Sequence, residues 1–210
     1  METPSSQGPR RIRIEDVAAH GAFRPLGALP GIRHDLQYAG EDNFAGRNLY
    51  GAHDCAWLHH EAAAALERCA QFLAAREPAL HLLVLDALRP HRMQEAMWAL
   101  LKDTPLRIYL ADPARGSIHS YGMAVDITLA RADGRWLDMG SGFDELTERS
   151  HPEFESRFRA DGTLTAAQVA NRALLREAMA AGGFQGIRTE WWHFDCGDRQ
   201  RVRETYLRVD

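Results

Sequence analysis

The chain has 210 residues, enough for one large domain with a substantial buried core. Hydrophobic residues make up 45% and charged residues 26% of it, both ordinary proportions for a globular enzyme. A net charge of −4 with a pI near 6.2 gives no basic footprint for nucleic acid, and no apolar stretch is long enough to cross a bilayer. We therefore expect neither nucleic acid nor a membrane as a partner.

The first half of the chain predicts two helices and one strand. Apolar residues recur at three- and four-residue intervals over 56–76, which predicts a helix with one buried stripe. Residues 82–85 form a short apolar run typical of a buried strand. Helical periodicity returns over 92–102, after Pro90, at a position where a helix tolerates proline.

The second half predicts a strand, a helix and a final strand. Alternation over 123–129 predicts a strand that places one apolar set of side chains on a single face. Thr165 and Gln168 have the spacing of a capping box and predict a helix over 166–181, which a glycine pair then ends. The aromatic run over 184–195 predicts a last strand.

The order of these elements favours an α+β fold. Strands and helices do not alternate regularly, so a mostly antiparallel sheet flanked by helices fits better than a doubly wound parallel sheet. No repeat or flexible linker divides the chain. We expect a disordered tail over 1–10 and a single domain over 11–210.

The three cysteines indicate a reducing compartment. Cys55, Cys69 and Cys196 are odd in number and form no C-x-x-C pair, so they are expected to be free and small buried hydrophobes. The opening residues lack the apolar core of a secretory signal. The expected location is the cytoplasm.

Two segments far apart in the chain supply candidate metal ligands. His119 precedes the strand predicted over 123–129, and Asp126 lies within it. A buried carboxylate needs compensation, and a metal provides it, although an aspartate facing the surface would fit the pattern equally well. With His193, these residues supply two imidazoles and a carboxylate, a set that zinc accepts at a catalytic site with one open position.

Glu190 stands three residues before His193, where a zinc hydrolase could use it as a base that is not itself a ligand. In an ideal strand that spacing would direct the two side chains to opposite faces, so both face a metal only if Trp191 and Trp192 lie in a turn or bulge. The alternative is an ordinary strand with two core tryptophans. The segment lacks the H-E-x-x-H helix of zincins.

Arg89 closes an apolar run just before Pro90. An arginine at that point could donate to a carbonyl oxygen as it becomes an oxyanion. The alternative for Arg89 is a surface position at the entry to the following helix.

Taken together, the motifs resemble the D-alanyl-D-alanine dipeptidases, the group that includes the vancomycin-resistance dipeptidases within the wider hedgehog-like peptidase fold. The resemblance covers most of the chain, and its joint pattern is more specific than any single motif. It rests on six ordered segments, residues 42–46, 86–90, 119–126, 139–144, 147–151 and 190–193.

The resemblance implies roles for seven residues. It makes His119, Asp126 and His193 the ligands of one zinc ion per chain, Glu190 the catalytic base, and Arg89 the group that stabilises the tetrahedral intermediate. It also implies two substrate contacts, Ser117 with the carboxylate and Asp144 with the ammonium group. From the residues alone, Ser117 and Asp144 could equally cap local turns.

The resemblance thus implies a hydrolase acting on D-Ala-D-Ala or similar small D,D-dipeptides, with a role in peptidoglycan metabolism. Two alternatives stay open: a peptidoglycan carboxypeptidase or endopeptidase of the same fold, and a non-catalytic zinc-binding module. A module would require neither Glu190 nor Arg89. The sequence does not specify an oligomeric state.

Overall fold

The computed structural model describes residues 10–210, so the tail expected over 1–10 lies outside the described residues except for Arg10. The carbonyl of Arg10 accepts a hydrogen bond from the N–H of Arg208. Strand β1 (Arg11–Ile12) then pairs in parallel with β9 (Arg208–Val209). The two ends of the described chain are therefore joined by backbone hydrogen bonds.

A five-stranded sheet forms the centre of the molecule, in the order β3-β5-β6-β8-β7. Strand β3 pairs with β5 in parallel, and the other neighbouring pairs are antiparallel. The predicted α+β class is confirmed, and the sheet is mixed rather than purely antiparallel. Its strands are β3 (Ile32–His34), β5 (Leu80–Asp86), β6 (Ala124–Arg131), β7 (Phe184–Gly186) and β8 (His193–Cys196).

The first predicted helix begins later than expected, because its first residues belong to a smaller antiparallel sheet. Strand β2 (Phe23–Pro25) pairs with β4 (Trp57–His59), so residues 57–59 are extended and the helix begins only at His60. Leu58 fits the helical stripe because it is fully buried, but its burial comes from the strand. Periodicity alone does not separate these two sources of burial over so short a segment.

The other predicted elements agree with the structure to within one or two residues, except the last strand. Residues 184–195 do not form one strand, because β7 and β8 are separated by a connection over 187–192. The capping box of Thr165 and Gln168 is confirmed. The helices are α1 (His60–Arg76), α2 (His91–Leu101), α3 (Glu155–Ala160), α4 (Ala166–Gly182) and α5 (Arg199–Thr205).

Helices α1 and α4 pack together on one face of the large sheet, where Ile127 and Leu129 of β6 join their apolar residues in the main core. Gly182 permits this approach, because a Cβ there would collide with Cys69 Sγ and the carbonyl oxygen of Ala65. All three cysteines are free, as expected. None of the helices within residues 10–210 has the length and apolarity needed to cross a membrane.

Candidate metal centre and active site

The register of the large sheet brings two candidate ligands side by side. Asp126 on β6 pairs directly with His193, the first residue of β8. On the other side of β6, Asp126 pairs with Asp86 at the end of β5, where a bulge shifts the register. The connection between β7 and β8 holds Glu190, so it is not bound by the alternation of a strand. This resolves the conflict between the spacing of Glu190 and His193.

The third candidate ligand lies on a tight turn that precedes β6. His119 belongs to a 3₁₀ helix over Ile118–Tyr121, which ends at Gly122 with φ of 65°. Only glycine adopts this conformation without cost, and a Cβ at Gly122 would lie 2.7 Å from the backbone nitrogen of His59. The turn therefore folds back onto the sheet and directs the buried His119 toward Asp126.

Three ligand atoms converge at this point. The Oδ1 atom of Asp126 lies 3.4 Å from His119 Nε2 and 2.9 Å from His193 Nδ1. The two imidazole nitrogens are 3.2 Å apart. Ligands held about 2.0 to 2.1 Å from a tetrahedral metal are separated by roughly 3.3 Å, so the spacing fits one zinc-sized ion.

Hydrogen bonds on the far side of each imidazole favour a cation between them. Nδ1 of His119 lies 2.8 Å from the carbonyl oxygen of Ala87, and Nε2 of His193 lies 3.0 Å from Asp195 Oδ1. Each of these nitrogens donates its hydrogen there, which leaves the opposite nitrogen of a neutral ring with a lone pair. Two lone pairs and a carboxylate oxygen then face one another, an arrangement that a metal ion stabilises.

The charges around the three candidate ligands also favour a cation between them. Burial opposes the charged forms, yet Asp195 and Asp126 together raise the pKa of His193 well above its usual range. Burial likewise opposes ionisation of Asp126, but His119 and His193 lower its pKa well below the usual range. The negative field that attracts a proton to His193 also attracts a divalent cation. Asp195 is itself held by Arg199, whose Nε donates to Oδ2 over 2.6 Å.

Arg89 is buried beside the centre rather than exposed at a helix entry. Its Nε and Nη2 atoms donate to Asp86 Oδ2 over 3.0 and 2.6 Å, and Nη1 donates to Gln94. Nη2 also lies 3.3 Å from Asp126 Oδ2, which leaves Oδ1 of that carboxylate directed toward the two histidines. Arg89 therefore orients a candidate ligand and lines the same cavity.

Glu190 is buried in the cavity, and its carboxylate has no hydrogen-bonding partner within residues 10–210. Burial raises the pKa of Glu190 to about 8, with the charges of Asp126 and Asp144 acting in the same direction. Positive charge on His193 and Arg89 opposes the shift. A carboxyl group whose pKa lies near neutrality is suited to take up and release a proton.

Asp144 and Ser117 line the same cavity. Asp144 accepts hydrogen bonds from the hydroxyl of Tyr38 over 2.9 Å and the backbone N–H of Phe44 over 3.2 Å. Within residues 10–210 it alone has a positive φ without being glycine, at 56°, a strain typical of functional sites. Burial raises the pKa of Asp144 to about 7. Ser117 is buried and directly precedes the turn that carries His119.

The seven residues singled out in the sequence thus line one cavity of about 800 Å³. This volume lies within the range of small-molecule sites. Aromatic and apolar side chains, including Tyr38, Tyr109 and Trp192, complete the wall. The cavity combines a candidate metal site, the buried carboxyl group of Glu190 and the guanidinium of Arg89.

Sequence reasoning missed three residues that support the centre. Asp86 is fully buried and accepts hydrogen bonds from Arg89, the Ala87 N–H and the Tyr50 hydroxyl. Asp195 holds His193, and its position two residues later on the same strand face was the signal that could have identified it. Tyr50 lies 36 residues from Asp86 along the chain, and the sequence contains no signal that the two side chains meet.

A second histidine cluster fits a metal poorly. His59, His60 and Glu61 have potential ligand atoms within 4.8 Å of one another. However, Nδ1 of His59 accepts a hydrogen bond from the N–H of Glu61, so the neutral ring carries its hydrogen on Nε2. The Glu61 carboxylate already accepts from the hydroxyl of Tyr206. These groups cap and fasten helix α1.

An α+β domain that brings two histidines, an aspartate and a buried glutamate together in one cavity defines a candidate metal-dependent hydrolase. Comparison with known proteins gives the family. The sequence profile described as D-ala-D-ala dipeptidase matches residues 23–210, and the chain belongs to this family of metallopeptidases.

Curated relatives agree with this family. A D-alanyl-D-alanine dipeptidase of Escherichia coli is 39% identical over 167 residues, which cover 80% of each chain. Dipeptidases of the same name from Enterococcus faecalis and Enterococcus faecium are 33% and 32% identical, covering 85% and 80% of this chain and 92% and 87% of their own. Among solved structures, the LdcB LD-carboxypeptidase aligns with a TM-score of 0.45 and 16% identity over 87% of this chain and 71% of that chain.

Proposed function

We propose that this chain is a zinc-dependent D-alanyl-D-alanine dipeptidase that binds one zinc ion through His119, Asp126 and His193. The observation that carries the proposal is the convergence of the three ligand atoms within 3.4 Å of one another, in a cavity that also holds Glu190. Family membership supports the peptidase activity, and the nitrogen and carboxylate donors support zinc as the metal.

The proposed mechanism assigns the proton transfers to Glu190. Zinc held by His119, Asp126 and His193 would polarise the substrate carbonyl and lower the pKa of the attacking water. Glu190 accepts the proton of the attacking water and later gives it to the leaving amine. Arg89 donates to the carbonyl oxygen as negative charge develops there. Its bonds to Asp86 and Gln94 hold the guanidinium in place before the reaction begins.

The proposed substrate is a small D,D-dipeptide with both termini bound. Asp144 receives the ammonium group, and Ser117 contributes to binding the carboxylate. A longer peptide would place an uncharged amide against Asp144, and a buried group left without its partner disfavours binding. This requirement separates a dipeptidase from a carboxypeptidase acting on wall peptides.

We also propose a cytoplasmic location with no nucleic acid or membrane partner. Three free cysteines are typical of a reducing compartment. The net charge of −4 does not favour binding to phosphate backbones.

Hydrolysis assays with a small set of substrates test the proposal. The metal-replete protein is expected to hydrolyse D-Ala-D-Ala and to leave L-Ala-L-Ala and a muramyl pentapeptide intact. Faster hydrolysis of the muramyl pentapeptide than of the dipeptide would contradict it and favour the carboxypeptidase alternative. D-Ala-D-lactate is the matched control for the requirement of a peptide bond.

A further inference from the structure

The charge balance of the cavity leaves the substrate's carboxylate without an obvious cation. A carboxylate that leaves water needs a positive partner as well as hydrogen bonds. The Ser117 hydroxyl carries no charge. The guanidinium of Arg89 already faces Asp86 and Asp126, which neutralise it. The proposed zinc acts on the scissile carbonyl and on water, so a further cation on the wall would complete the site.

Two arginines on the cavity wall next to Ser117 have no acidic partner within residues 10–210. Arg115 makes neither a hydrogen bond nor an ion pair through its side chain, and Arg203 on α5 bonds only to backbone carbonyls. Arg203 Nε donates to the carbonyl oxygen of Gly116 over 3.0 Å, which fixes it one residue from Ser117.

The other cavity arginines are already paired. Arg199 binds Asp195, which in turn holds His193. Arg188 donates from Nε to Glu153 Oε2 over 2.8 Å.

Asp144, the proposed partner of the ammonium group, belongs to a different part of the wall, where it contacts Tyr38 and Phe44. Besides Asp144, the cavity wall thus carries two arginines that have no acidic partner within residues 10–210.

We infer that Arg115 and Arg203 bind the main-chain carboxylate of the substrate's C-terminal residue, beside Ser117, and set the preference for a free C-terminus. The inference rests on the proposed function, because it takes the substrate to be a small D,D-dipeptide. Arg203 is fixed by the backbone of Gly116, while Arg115 is exposed, has no side-chain partner within residues 10–210 and contacts the carboxylate from the rim. Arginine forks match carboxylate geometry, which favours two-point binding.

The test compares D-Ala-D-Ala with its uncharged C-terminal amide in wild type and in Arg115→Gln. Because a hydrogen bond to a charged group contributes about 10- to 100-fold, the variant should raise KM for the free acid by about that factor, with kcat within about threefold. Its preference for acid over amide should fall by the same factor. Arg203→Gln should act in the same direction, and Arg203→Lys, which keeps the charge, should recover part of the loss.

Arg188→Gln is the matched control, since it removes a cavity arginine that is already paired with Glu153. An acid-to-amide preference in Arg115→Gln and Arg203→Gln equal to that of wild type and Arg188→Gln would overturn the inference. D-Ala-D-Asp carries an additional carboxylate on its side chain. If the arginine variants raise KM only for this dipeptide, the inference is also overturned, because the arginines would then bind a side-chain carboxylate.

Calorimetry separates this inference from the proposed function. Binding of D-Ala-D-Ala to Glu190→Gln, with and without Arg115→Gln, measures the carboxylate contact without turnover. If wild type fails to hydrolyse D-Ala-D-Ala but Arg115→Gln still weakens its binding about 10-fold or more, the function fails and the contact stands. If wild type turns over the dipeptide and the binding constants are equal, the contact fails alone.

Discussion

Arg89 illustrates how one side chain can serve both structure and chemistry. Its guanidinium pairs with Asp86 at the end of β5 and reaches the carboxylate of Asp126, a candidate metal ligand. Such a group is held firmly and donates without reorganisation as charge develops on a substrate. The same pairing makes it a poor partner for a second, permanent carboxylate.

We expect Arg89→Lys to lower kcat by about 10² to 10³ and to leave KM within a few-fold. Lysine keeps the charge but loses the planar fork that contacts Asp86 and Gln94 together. Steady-state kinetics on D-Ala-D-Ala measures both constants, and metal content controls for loss of the centre. A change confined to KM would reassign Arg89 to substrate binding.

Glu190 should give the activity an acid limb. Its carboxylate form accepts the proton, so activity is retained above its pKa and lost as the pH falls through it. Burial raises that pKa from 4.5 to about 8, and a bound divalent cation would bring it down within this interval. We expect kcat/KM to decrease as the pH falls, with a midpoint between pH 4.5 and about pH 8.

The pH profile of Glu190→Gln is the control for this assignment. The amide does not titrate, so the residual activity of the variant should lose the limb. An unchanged acid limb in a metal-replete variant would assign it to another group.

At the scale of elements, a glycine joins the turn that carries His119 to the strand that carries Asp126. Gly122 has a positive φ, and a Cβ there would meet the backbone of His59 at 2.7 Å. Gly162 also has a positive φ, of 81°, but faces open space. Comparison of the two positions therefore separates backbone strain from collision.

We expect Gly162→Ala to cost about 1 to 2 kcal/mol of unfolding free energy, the usual penalty for a left-handed residue. Gly122→Ala should cost more and also weaken zinc binding, because the turn must move away from His59. Denaturant unfolding and zinc titration measure the two effects. Equal costs and equal zinc affinities would show that the turn does not position His119.

The sequence predicted elements better than their junctions. Regular periodicity located α2 and α4, because each buries one side against a packed neighbour. The alternation over 123–129 located β6, although both faces of that strand are buried. The helix predicted over 56–76 includes strand β4, because a three-residue strand is too short to set its own period. The aromatic content over 184–195 predicts one strand through the connection over 187–192. In the structure Trp191 and Trp192 are buried without belonging to a strand.

The candidate site was predictable in its residues but not in its support. The sequence motifs contain the seven cavity residues. The sheet register brings Asp126 and His193 together, which their spacing in the sequence does not determine. Asp86 and Tyr50 meet only through the tertiary fold. The orientation of each imidazole likewise depends on partners such as Asp195.

At the scale of the whole molecule, the metal should contribute to stability. The three candidate ligands join the turn before β6, β6 itself and β8, so an ion bound only by the folded chain favours the native state. At a zinc concentration 100 times Kd this amounts to about 2.7 kcal/mol.

For a domain of this size, that free energy corresponds to a rise in Tm of about 5 to 10 °C. We expect chelation to lower the Tm of wild type by this amount and added zinc to restore it. His119→Ala should show neither response. A zinc-dependent Tm in that variant equal to that of wild type would place the ion elsewhere in the chain.

The account depends most directly on Glu190 acting as a base beside a metal that it does not bind. Zinc content and D-Ala-D-Ala turnover should therefore be measured in the same preparations of wild type and Glu190→Gln. We predict one zinc per chain in both proteins and turnover lower in the variant by about 10² to 10⁴. Wild-type turnover in the metal-replete variant, or loss of its zinc, would contradict the account.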